Sequence, residues 1–90
     1  SEASATLHEF GHFLDWMLGF PAEYEQLFRA EASAAPLRNY AKTNAREYFA
    51  DCFAYWVKYA ENANAISLLQ ECAPMTYRYM EDLMRIANRL

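Results

Sequence analysis

The sequence predicts an all-α fold of four to five helices. Apolar residues recur three and four positions apart along nearly the whole chain, and no run alternates long enough to make a strand. Two glycines and three prolines in ninety residues leave little material for hairpins. A chain of this size (residues 1–90) is one small domain at most, or a part of one, and it buries about 60–65% of its unfolded surface, so modest stability is expected.

The spacing predicts a first helix from about Glu2 to Leu18, with Ser1 or Ser4 as its cap. Leu7, Gly11, Leu14 and Leu18 form its stripe, and Gly19 stands where a left-handed residue ends a helix. Pro21 suits a first helical position, which gives a second helix over 21–33 with Tyr24, Leu27 and Phe28 inward. Pro36 opens the loop "PLRNYAKTN". Thr43 or Asn44 caps a third helix to about Asn62, with Phe49, Phe53, Trp56 and Ala60 on its apolar face. Asn62 or Asn64 caps a short fourth helix through Leu68 and Leu69. Pro74 interrupts, and "MTYRYMEDLMRIANRL" is a terminal helix with Tyr77, Met80, Leu83 or Met84, and Ala87 inside. The Met and Tyr residues here are expected to pack rather than to bind a ligand.

Charge and composition exclude several functions. Net charge is −4 with acids and bases interspersed, and without clustered Lys and Arg the chain is not built for nucleic acid. Its apolar stretches fall far short of the ~20 residues of a membrane span. Cys52 and Cys72 are too few for a disulfide framework and lack metal-type spacing, so two reduced, buried thiols are expected.

Chemistry concentrates in "TLHEFGHFLDW", residues 6–16, which holds both histidines of the chain. Residues i and i+4 share a helix face, so His8 and His12 can aim at one ion, with Glu9 beside them. This is the HExxH pattern of zinc peptidases, in which the glutamate takes a proton from a metal-activated water. The rival reading is a chance match on an ordinary helix of a structural bundle. Against it, two histidines and a glutamate on so apolar a helix need partners, and a metal supplies them.

Two histidines do not complete a catalytic site, and no third one exists. The third ligand must then be a carboxylate on another element. The third helix offers Glu47 and Asp51, again four apart, in "NAREYFADCFAYW". Glu47 as ligand and Asp51 as orienter of a ligand histidine is a natural division of labour; a solvated acidic face is the alternative.

HExxH followed on a later helix by E-x-x-x-D resembles the glutamate-zincins. More narrowly, "HEFGHFLDWMLG", "YAKTNAREYFADCFAYW" and "APMTYRYMEDLMRI" are similar to the catalytic domain of anthrax lethal factor and its relatives, which include proline-proline endopeptidases. The likeness runs from about Leu7 to Ile86. It implies one Zn²⁺ per chain held by His8, His12 and Glu47, with Glu9 as general base. It further implies Tyr40 as donor to the oxyanion, and Asp51 and Asp15 as acidic partners behind the ligands. The implied activity is endopeptidase action on a peptide or protein substrate, by a protein secreted or delivered outside its producing cell. In such enzymes the substrate lies along the edge strand of a sheet that precedes the HExxH helix. The chain is therefore expected to be the helical, zinc-binding portion of a zincin-like domain, needing upstream segments to bind substrate. A catalytically inactive domain of the same fold, used for binding, is the alternative function.

Overall fold

A computed structural model describes residues 2–89. Five α-helices follow one another: α1 (Glu2–Leu18), α2 (Glu23–Glu31), α3 (Ala45–Lys58), α4 (Ala63–Cys72) and α5 (Pro74–Ala87). A 3₁₀ turn, Asn39–Lys42, lies between α2 and α3. No strand occurs among the described residues, so the expected all-α class holds. Nor is any described helix long and apolar enough to cross a membrane.

α1 has the predicted bounds. Ser1 and the Ser4 side chain, the expected caps, lie outside what is described. At its other end Gly19 takes φ +77°, and its N–H bonds Trp16 O at 3.1 Å while Phe20 N–H bonds Asp15 O at 3.2 Å. This pair of bonds is a Schellman cap, and it needs the left-handed residue that glycine supplies. Phe20 also sits at positive φ (52°), where the Arg46 guanidinium lies 4.0 Å from its ring centre.

Four boundaries differ from expectation. α2 starts at Glu23, because Pro21 is spent in a turn whose carbonyl accepts from Tyr24 N–H, and it ends at Glu31 rather than Ser33. α3 stops at Lys58, four residues early, because Asn62 must be extended to cap α4, where its side chain accepts from Ala65 N–H at 3.1 Å. Pro74 does not merely interrupt: it is the first residue of α5, where its missing N–H costs nothing. Ala60 thus falls outside α3. It is exposed, as are Leu18 and Ala87 of the predicted stripes.

The core lies between α3, α2 and α5. Tyr24 stacks on Phe49 with ring centres 4.3 Å apart, and Tyr79 meets both edge-on. Phe53, Leu69 and Met80 are buried with them. Buried Glu31 closes the α2–α5 contact by accepting from Met75 N–H at 2.9 Å, Thr76 N–H at 2.7 Å and the Thr76 hydroxyl at 2.7 Å. One carboxylate thereby satisfies the open N-terminus of a helix that has no capping side chain of its own. Tyr48 O–H donates to Thr76 Oγ1 at 2.8 Å and joins α3 to the same network. Cys52 is buried and Cys72 half-buried, both as free thiols, and burial pushes the Cys52 thiol far above its ordinary pKa.

α1 packs chiefly on α3. Their crossing is set by Gly11: a Cβ there would stand 2.8 Å from Ala50 Cα and 2.9 Å from Ala50 O. No side chain larger than hydrogen fits. The glycine between the two histidines lets one backbone rest on the other.

Candidate metal centre

Three segments build the site. α1 presents His8, Glu9 and His12, α3 presents Glu47 and Asp51, and the 36–40 connection brings Arg38 and Tyr40. Asn44 fixes where α3 begins by accepting from Glu47 N–H at 2.9 Å, which places Glu47 in its first turn. With α1 drawn close by Gly11, the Glu47 carboxylate spans both histidines. Its Oε2 is 3.0 Å from His8 Nε2, its Oε1 is 2.9 Å from His12 Nε2, and the two imidazole nitrogens are 3.0 Å apart.

Protons decide what this cluster means. His8 turns its other nitrogen, Nδ1, to Asp51 Oδ1, and contact with a carboxylate puts the ring proton there. His8 Nε2 then carries a bare lone pair aimed at Glu47 Oε2, which is buried and has no hydrogen-bond partner. His12 Nε2 lies within hydrogen-bond distance of both Glu47 Oε1 and His8 Nε2, so the cluster is satisfied either by a proton on His12 Nε2 or by a cation shared among the three groups. The ligand atoms all fall within 4.8 Å of one another, and the closest are slightly nearer than the ~3.3 Å expected for neighbours around tetrahedral zinc. The donor set fits a metal ion.

Asp51 is itself held. Arg38 donates to it from Nε (2.7 Å to Oδ2) and Nη2 (3.0 Å to Oδ1). Burial pushes the Asp51 carboxyl up, but hydrogen bonds from Arg38 and His8, with their charges, outweigh it and keep the group below its ordinary pKa. It is a carboxylate throughout the neutral range.

Glu9 is exposed next to His8 and lines a cleft of about 690 Å³, shared with Arg38, Tyr40, Tyr55 and Tyr59. Tyr40 stands at its mouth, 54% exposed, with its ring centre 6.0 Å from that of His8. Asp15 is placed differently from Asp51. It is a fully buried residue of α1, and neither carboxylate oxygen has a hydrogen-bond partner, His12 included. Burial raises its pKa, opposed by the charges of Arg46 and His12.

The structure thus brings His8, His12, Glu47 and Asp51 into one cluster, puts Glu9 and Tyr40 on its open side, and keeps Asp15 apart. Arg38 was invisible in the sequence. It lies thirteen residues before Asp51 in an irregular loop, and no periodicity links the two.

The chain matches the family model described as "Anthrax toxin lethal factor, N- and C-terminal domain" over residues 1–83. It is 30% identical over 83 residues to a Pro-Pro endopeptidase of Clostridioides difficile (strain 630), a match covering 88% of this chain and 36% of that protein. The chain therefore spans about a third of the length of this curated relative. No solved structure matches it.

Proposed function

The chain belongs to the anthrax toxin lethal factor family, and from that premise we propose that it is the metal-binding part of a zinc-dependent endopeptidase. The observation that carries the reading is the convergence of His8 Nε2, His12 Nε2 and the Glu47 carboxylate, with the His8 proton committed to Asp51. Zinc suits two neutral imidazoles and one carboxylate, and when bound it acidifies a water and polarises a carbonyl.

Every other task falls to side chains of this chain. Asp51 holds His8 in one tautomer. Asp15 adds negative charge behind His12 without a direct bond. Glu9, free in the cleft, takes the proton of the attacking water and delivers it to the departing amine. The Tyr40 hydroxyl donates to the substrate carbonyl oxygen as charge develops on it, a kind of contact worth roughly 3–4 kcal/mol in acyl transfer. The substrate is a peptide or protein, as the relative's name implies for that protein, and membership of a toxin family supports a site of action outside the producing cell. The match covers only 36% of the relative, which supports a substrate-binding contribution from segments other than these ninety residues.

Metal analysis tests the reading first. The purified chain should hold close to one zinc, and Glu47→Ala should lose it. Glu9→Gln should keep zinc yet abolish cleavage of a peptide library by the full-length protein. Zinc without cleavage in the unmodified protein would favour a metal-containing binding domain instead. No zinc in the unmodified chain would sink both readings.

A further inference from the structure

The proposed chemistry leaves Arg38 without a task. Its side chain is 59% exposed, yet it is held in one pose from two directions. Nε and Nη2 fork onto both oxygens of Asp51, while the guanidinium lies 5.2 Å from the centre of the Tyr40 ring. Asp51, by contrast, is buried, and its Oδ1 also receives the His8 Nδ1 proton.

A carboxylate that accepts one bond from an imidazole is still free to turn about its last torsion, which is broad and roughly two-fold. As it turns, the imidazole it holds can turn with it. Two parallel N–H···O bonds from a planar guanidinium remove that freedom, because both oxygens must then lie in the plane of the fork. We propose that Arg38 is a positioning residue that acts on the metal centre through Asp51, locking the carboxylate plane that sets the His8 ring and so the direction of Nε2. This rests on the metal-centre reading above and assigns a part of it to a loop residue that touches neither metal nor substrate. The chain of hydrogen bonds is Arg38–Asp51–His8, across three separate segments; Arg38 Nη2 also lies 3.4 Å from His8 Nδ1, but with the ring proton there two donors face each other and no bond forms.

Charge alone could also explain the pair, and lysine separates the two accounts. Lys keeps the positive charge but presents a point rather than a fork. The experiment measures zinc affinity by chelator competition, with the cobalt(II) absorption spectrum as a second readout and apo-chain circular dichroism as the folding control. The proteins are the unmodified chain, Arg38→Ala, Arg38→Lys, Asp51→Ala and the Arg38→Ala/Asp51→Ala double variant. Removing partners behind a metal ligand typically weakens binding about 10–100-fold. Arg38→Ala is expected to cost about 10-fold, the low end of that range, because it acts one residue further out. Arg38→Lys should recover little of this and shift the cobalt spectrum. In the Asp51→Ala background Arg38→Ala should cost nothing more, since its path to the metal is already cut.

Unchanged affinity in Arg38→Ala, full recovery by Lys, or losses that multiply in the double variant would each overturn the proposal. Should Arg38→Ala fail to fold, the Lys variant decides: weakened binding supports the fork, unaltered binding and spectrum refute it. An unmodified chain that takes up no zinc would instead overturn the metal centre itself, a result distinct from any of these.

Discussion

Asp51 and Asp15 are both buried aspartates one helix turn from residues of the proposed metal site, and their surroundings push them opposite ways. Asp51 is answered by Arg38 and His8, and its carboxyl titrates below the ordinary value. Asp15 is answered by nothing within hydrogen-bond reach, and burial raises it above 3.8. For a group raised on folding, stability is fully present below the unfolded value and is lost as pH rises through the folded one. Asp15→Asn should therefore stabilise the apo chain at neutral pH by about 1–2 kcal/mol, with the gain vanishing near pH 3.5. Thermal unfolding of both proteins across that range checks it. If Asp15 also supports His12 electrostatically, the same variant should bind zinc a few-fold more weakly. A stabilised chain with unaltered zinc affinity would remove Asp15 from the site. At this scale the sequence was partly legible. The i, i+4 spacing of His8 and His12 and of Glu47 and Asp51 fixed which faces carried them, but nothing local distinguished an aspartate with partners from one without.

At the scale of elements, the helices were readable wherever their ends carried their own chemistry. Gly19, Asn44, Asn62 and Pro74 each mark a terminus by side chain or backbone preference. The start of α2 is not marked in the same way, because Pro21 is equally at home in a turn. Glu31 could not be anticipated as the partner of the α5 N-terminus, since that bond spans 45 residues. Gly11 was legible as part of a stripe, but not as the gauge between two helices. Gly11→Ala would press a methyl into backbone atoms of Ala50 that cannot yield independently, so α1 must move. We expect a loss of about 2 kcal/mol and zinc affinity weakened at least ~10-fold. Gly19→Ala is the control: its Cβ meets nothing within 4 Å, though its φ is unfavourable. It should cost about 1 kcal/mol and leave zinc affinity unchanged. Equal effects of the two variants on zinc would show that the α1–α3 separation does not govern the site.

For the whole molecule, size limits what the core supplies, and a ligand bound only by the folded state adds to it. At a hundred times its dissociation constant, zinc should stabilise the chain by about 2.7 kcal/mol. That corresponds to roughly 10–20 °C in Tm for a domain of this length. A chelator should reverse the rise, and Glu47→Ala should not display it. A Tm indifferent to zinc would mean that metal does not select the folded state. The all-α class was legible because a period of three to four runs through the sequence. The convergence of Glu47 on the histidines was not, because it depends on how α1 and α3 cross. α1 also carries an outward row of exposed Phe10, Phe13, Trp16 and Met17, with neighbouring ring centres 6.1 Å apart from Phe10 to Trp16. The inward face was predicted correctly in Leu7, Gly11 and Leu14, and these outward aromatics are what made the helix look apolar all round.

Because Glu47 reaches His8 and His12 only across the Gly11–Ala50 contact, the proposed ligand set has a history as well as a shape. The two histidines come together as soon as α1 coils, an event of about a microsecond or less. Glu47 arrives only when the intervening chain has closed and the helices have docked, a slower step governed by loop-closure entropy. On the proposed reading, an ion present from the outset would meet a two-nitrogen nascent site first and a three-ligand site later. Its capture should therefore track the docking rate, not the rate of helix formation, so the appearance of bound metal is a clock for the moment the backbones meet.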